Sequence, residues 1–160
     1  MLDLSAKIPT PRPCVLIADD DVSVRRSLHL LLQGQGYDVQ AHATGTTLLA
    51  DPRVADAVCI IADYKMMPAD GIAVLGALRA CGWQGPAILV TAFGTADLRE
   101  RAATAGFANV IDKPYGGQML LATVARLIEP SSIGLSKSVS EYGLGTNHVF
   151  STISGTIASA

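Results

Sequence analysis

The chain has 160 residues, 49% of them hydrophobic and 16% charged, with a formal net charge of −2. That length suffices for one domain with an ordinary core, and this composition belongs to a packed globule rather than a disordered chain. The basic residues are scattered, with Arg25-Arg26 the one adjacent pair, and no stretch reaches the roughly 20 apolar residues that span a bilayer. Nucleic-acid binding by this chain and a membrane span are therefore not expected, and a soluble cytoplasmic protein is.

Residues 1–13 carry Pro9, Pro11 and Pro13, which fix an extended approach, and they read as a leader. A short apolar run, 14–18, predicts a buried first strand and is followed by Asp19-Asp20-Asp21. A helix over 22–33 follows from the helical spacing of Val24, Leu28, Leu31 and Leu32, with Asp21 as its cap and Gly34 and Gly36 ending it. Alternation over 37–42 predicts a second strand. A short helix, 45–50, stops at Asp51-Pro52.

The uncharged, β-branched run 57–62 predicts a third buried strand, which delivers Asp63 at its carboxyl end. A helix over 72–81 places Ile72, Leu75 and Leu78 inward. Strand four, 87–90, delivers Thr91, and a helix over 96–105 is closed by Gly106. Strand five, 109–111, leads to Asp112-Lys113-Pro114, and the last helix runs over 119–128. After Glu129 the composition turns to Ser, Gly and Thr, so residues 130–160 read as a flexible tail with a weak strand pattern at 148–157. No output domain is expected in it.

Strands alternating with helices call for an α/β fold: a doubly wound five-stranded parallel sheet with five helices and right-handed crossovers. Periodicity leaves the strand order open, with 2-1-3-4-5 the natural choice at this size. Cys14, Cys59 and Cys81 are odd in number and far apart, which argues for free thiols. His29, His42 and His148 share no ligand spacing.

Four strands thus release polar residues at one sheet edge, where open α/β folds bind ligands. Acids before a helix are ordinarily caps, and a Thr at a strand end or a Lys before Pro is ordinary too. Their joint placement is less easily dismissed. Asp19, Asp20 and Asp63 would converge there, and carboxylates about 4 Å apart repel by roughly 4 kcal/mol at an effective dielectric of 20. A hard divalent cation such as Mg²⁺ would compensate, with Lys113 as a fixed positive charge on the other side. A metal, a free carboxylate, a hydroxyl and an ammonium suit phosphoryl transfer to a carboxylate.

The stretches VLIADDD, ADYKMMPADG, ILVTAFG and DKP resemble the receiver domain of two-component response regulators, over residues 14–129. The resemblance implies the flavodoxin-like order 2-1-3-4-5. It implies that Asp63 is the phosphoacceptor, and that Mg²⁺ is held by Asp20 directly, Asp19 through water, Asp63 and the main-chain carbonyl of Lys65. Thr91 and the N–H of Ala92 would take one phosphoryl oxygen and Lys113 another. The donor would be a phosphohistidine on a sensor histidine kinase or histidine phosphotransfer domain, docking around Val24–Leu31. Output would pass to a downstream protein or a homodimer. Such a module is a phosphoacceptor for signalling rather than an enzyme, with only self-phosphorylation and slow self-dephosphorylation.

The pattern departs from the family in three places. Met67 precedes Pro68 where the family has proline one position earlier, Val110 stands where strand five carries an aromatic, and Gly116-Gly117 open the last helix. Two other readings follow. One is a receiver-like binding module that does not switch. The other is a phosphatase, because Asp19-x-Asp21-x-Ser23 also resembles the nucleophile motif of haloacid dehalogenase-type enzymes, with Asp19 attacking.

Overall fold

The computed structural model describes residues 10–128, so the expectations for most of the leader and for the tail at 130–160 lie outside the described residues. Five parallel strands form one sheet: β1 (Cys14–Ala18), β2 (Asp38–His42), β3 (Ala57–Asp63), β4 (Ala87–Thr91) and β5 (Asn109–Asp112). Their order is β2-β1-β3-β4-β5, the flavodoxin-like arrangement expected from the sequence. The helices are α1 (Val22–Gln33), α2 (Gly45–Leu49), α3 (Gly71–Ala80), α4 (Ala96–Ala105) and α5 (Gly117–Ile128).

Side-chain alternation along the three central strands divides the core into two layers. Val15 and Ile17, Cys59 and Ile61, and Ile88 and Val90 pack beneath α1 and α5, against Leu28, Leu32, Leu120 and Val124. Leu16, Ile60, Ala62 and Leu89 face the other way, against Leu48 of α2, Val74, Leu75 and Leu78 of α3, and Leu98 and Ala102 of α4. Both faces of the sheet are covered, which is why these strands read as unbroken apolar runs.

The chain-order expectations hold with local differences. Asp21 caps α1 by accepting from the N–H groups of Ser23 and Val24. Gly34 at the end of α1 stays right-handed, and the left-handed turn falls at Gly36, with φ +94°. Gly106 closes α4 in the left-handed region, as glycine allows. A 3-10 helix at Pro52–Asp56 begins at the proline where the sequence predicts only the end of a helix. Pro at a first helical position loses no hydrogen bond, and Asp51 caps the turn by accepting from Arg53 N–H. On α3 the innermost residues are Val74, Leu75 and Leu78, and Ile72 is only half-buried. The buried Trp83 indole N–H, which donates to the Ala57 carbonyl at 3.1 Å, closes the opposite end of the sheet.

Two of the three cysteines, Cys14 and Cys59, are buried, and all three are free thiols. Burial pushes the Cys59 thiol up to about 12, so it stays protonated and behaves as a small apolar side chain.

Candidate functional site

Because every strand is parallel, β1, β3, β4 and β5 all end at the same edge. The residues they deliver are Asp19 and Asp20, Asp63, Thr91, and Lys113. The acid triplet divides its labour: Asp21 caps α1 while Asp19 and Asp20 turn toward Asp63. Oxygens of Asp19, Asp20 and Asp63 lie within 4.8 Å of one another, with Asp19 and Asp63 buried and Asp20 exposed. Lys113 reaches across with its Nζ 3.1 Å from Asp19 Oδ2 and 3.3 Å from Asp63 Oδ1.

Main-chain contacts hold these groups in place. Asp19 Oδ1 accepts from Asp21 N–H at 2.9 Å, and the Arg25 guanidinium donates to the Asp19 carbonyl at 2.9 Å. Both carboxylate oxygens of Asp19 are therefore engaged by the protein, whereas Asp20 stands at the open rim. Thr91 is buried at 2% exposure, and its hydroxyl accepts from Phe93 N–H at 3.1 Å, drawing the loop after β4 tight. Its carbonyl accepts from Lys113 N–H at 2.7 Å.

A close approach between α3 and β3 completes the geometry. A Cβ at Gly71 would lie 2.6 Å from the Asp63 carbonyl oxygen, a main-chain atom that could give way only by moving β3, and 2.7 Å from Leu89 Cδ1. Glycine at the start of α3 is thus what lets the helix seat against the strand that carries Asp63.

Burial and then the charge of Asp19 push the Asp63 carboxyl above its ordinary range, with Lys113 opposing them. For Lys113, burial pulls the ammonium down, but the hydrogen bond to Asp19 and the charges of Asp19 and Asp63 outweigh it, and its pKa is raised. Negative charge exceeds positive here, every acidic donor is an oxygen, and one of them faces solvent. That donor set fits a hard divalent cation that retains water ligands.

The cleft above these groups has a volume of about 550 Å³ and is lined by Asp20, Asp63, Lys65, Thr91, Ala92 and Lys113, all singled out from the sequence. The sequence reading missed its apolar rim, formed by Met67 and Phe93, 77% and 74% exposed. It also missed Arg25, whose place one turn past the Asp21 cap was the available signal. The loop bearing Lys65 contains a cis Met67–Pro68 peptide where the family pattern departs. Val110 lies half-buried on β5, packed at the margin of the core.

Comparison with known proteins agrees with this geometry. The model of the response regulator receiver domain matches residues 15–125. Over 110 residues the chain is 32% identical to the transcriptional regulatory protein FixJ of Azorhizobium caulinodans, covering 69% of this chain and 52% of that protein. It is 32% identical over 114 residues to the transcriptional regulatory protein ZraR of Salmonella typhimurium, covering 71% of this chain and 26% of ZraR. The chain thus spans about half or less of these curated relatives. Among solved structures, the chemotaxis protein CheY4 of Vibrio cholerae superposes with a TM-score of 0.69 at 27% identity, covering 73% of this chain and 99% of that one. Matching residues from the first strand to the last helix, the same strand order and a shared sheet edge lead to one assignment: the chain belongs to the response regulator receiver domain family.

Proposed function

We propose that this receiver, residues 14–129, accepts a phosphoryl group on Asp63 in a Mg²⁺-dependent reaction and thereby switches a protein-binding face. The observation that carries the reading is the placement of Asp63. It is a buried carboxylate that lines an open cleft, with an ammonium 3.3 Å away and two further acids beside it.

The donor would be a phosphohistidine on a sensor histidine kinase or histidine phosphotransfer domain, the partners receivers generally serve. An Asp63 carboxylate oxygen attacks phosphorus, the phosphorus–nitrogen bond breaks, and the imidazole departs with the electron pair. Lys113 holds Asp63 in position and then pairs with a phosphoryl oxygen. The Thr91 hydroxyl and the Ala92 N–H take another. Asp20, Asp63 and the Lys65 carbonyl would hold Mg²⁺ directly and Asp19 would hold it through water, in keeping with both Asp19 oxygens being engaged already. The ion when bound neutralises charge on the transferring group. Phosphate then adds charge and strong acceptors within reach of Thr91, which biases the loop after β4 between two arrangements.

A phosphatase using Asp19 finds little support, since Asp19 is 2% exposed with both oxygens engaged, whereas Asp63 faces the cleft. A receiver that binds without switching draws on Met67 and Val110. Incubation with Mg²⁺ and acetyl phosphate separates the three. A labile adduct on Asp63 is expected; steady turnover that persists in Asp63→Asn, or no adduct at all, would overturn the proposal.

A further inference from the structure

A second charged cluster lies at the same sheet edge, outside the cleft. Arg99, in the first turn of α4, donates from Nη1 to the Val110 carbonyl at 3.2 Å and from Nη2 to Asp112 Oδ2. Asp112 is the last residue of β5, immediately before Lys113, and sits in register beside Thr91 on β4. Three residues past Thr91, the loop crosses directly over this pair: a Cβ at Gly94 would fall on Asp112 Oδ1 and lie 2.9 Å from Arg99 Nη2.

These contacts close a ring. The main chain runs from Thr91 through Gly94 to Arg99, and the side-chain pair returns from Arg99 to Asp112, back beside Thr91. A displacement of the loop at Gly94 therefore bears directly on the pair. The Thr91 hydroxyl now secures the loop by accepting from Phe93 N–H. A turn of that hydroxyl toward a new neighbour would release this contact and free the loop that lies over the pair.

We infer that the Arg99–Asp112 pair, overlain by Gly94, transmits movement of the loop after Thr91 into α4 and β5. The inference rests on the reading of Asp63 as phosphoacceptor and adds the route by which its state reaches the protein surface. Arg99 and Asp112 act as positioning residues and take no part in the chemistry. Both side chains are about half exposed, so the pair contributes to the balance between two arrangements at the strength of a surface ion pair. Losing it shifts that balance about two- to fivefold.

The test uses the full chain, ¹⁵N-labelled, with Mg²⁺ and beryllofluoride as the phosphoryl mimic. Fluorine resonances report uptake at Asp63, and amide shifts over Ala96–Ala105 report the response of α4. Arg99→Gln and Asp112→Asn are expected to take up beryllofluoride like the parent while the switched population of α4 falls about two- to fivefold. Arg99→Lys keeps the charge but not the two-pronged contact, and should fall short of the parent too. Full α4 shifts in both neutral variants would overturn the inference. So would lost uptake in a variant whose circular dichroism is native, since that would assign the pair to the chemistry. A parent chain that takes up no beryllofluoride would refute Asp63 as the acceptor, a failure distinct from the other two.

Discussion

Replacing Asp63 with Asn is expected to stabilise the metal-free fold at neutral pH, although it removes a buried and well-placed side chain. Asp63 is 6% exposed, and oxygens of Asp19 and Asp20 lie within 4.8 Å of it. At an effective dielectric of about 20, each such neighbour repels by roughly 3.5 kcal/mol, while Lys113 Nζ at 3.3 Å returns about 5 kcal/mol. Solvent screens the exposed Asp20, and Lys113 divides its charge between Asp63 and Asp19. The two repulsions exceed the Lys113 attraction by about 2 kcal/mol, and this screening leaves a net penalty of about 1 kcal/mol. In thermal unfolding at pH 7 with EDTA, Asp63→Asn should therefore melt about 3–5 °C above the parent.

The sign of the pH dependence follows from the raised pKa of Asp63, whose causes are burial and then Asp19. An acid held above its unfolded value destabilises the fold fully above the folded pKa. The penalty is relieved as pH falls through that pKa toward 3.8, the ordinary carboxylate value. The advantage of Asp63→Asn should shrink over that window, and Mg²⁺ should stabilise the parent more than the variant. A variant that melts below the parent in EDTA, or a gain that ignores pH, would refute the electrostatic reasoning.

Lys113→Met leaves Asp19 and Asp63 buried without their shared cation, and should cost about 2–3 kcal/mol in urea unfolding without metal, partly restored by Mg²⁺. Gly71→Ala forces a methyl against the Asp63 carbonyl and Leu89, and should cost about 1–3 kcal/mol by the same measurement. At Asp51 burial raises the carboxyl pKa, but hydrogen bonds from Arg53 N–H and His42 outweigh it and leave it below 3.8. Its contribution is thus complete above pH 3.8 and lost as pH falls through the depressed value. Asp51→Asn should melt below the parent at pH 7, and the gap should close in acid.

Much of the fold was legible because the sheet is covered on both faces. Runs such as 57–62 and 87–90 are apolar without interruption, and the residues that end them announce the edge. Asp63 and Thr91 could be picked out because each follows such a run, and Lys113 because it follows the short strand at 109–111; parallel strands bring these ends together. The 3-10 helix at Pro52–Asp56 was less visible, since Pro52 both ends one helix and can begin another, and periodicity cannot distinguish the two over five residues. The apolar rim of Met67 and Phe93 escaped notice for another reason. Exposed Met and Phe look like core residues in a sequence, and only the loop geometry turns them outward. The Arg99–Asp112 contact joins residues 13 apart across a helix and a strand, beyond the reach of local spacing.

The central claim is that Asp63 receives the phosphoryl group. The most direct measurement is transfer from a phosphohistidine donor in Mg²⁺, followed by borohydride reduction of the acyl phosphate and peptide mapping by mass spectrometry. Reduction is expected to convert residue 63, and no other aspartate, to homoserine, with no conversion in Asp63→Asn. Conversion at Asp19 or Asp20 instead, or phosphoryl uptake undiminished in Asp63→Asn, would contradict the account.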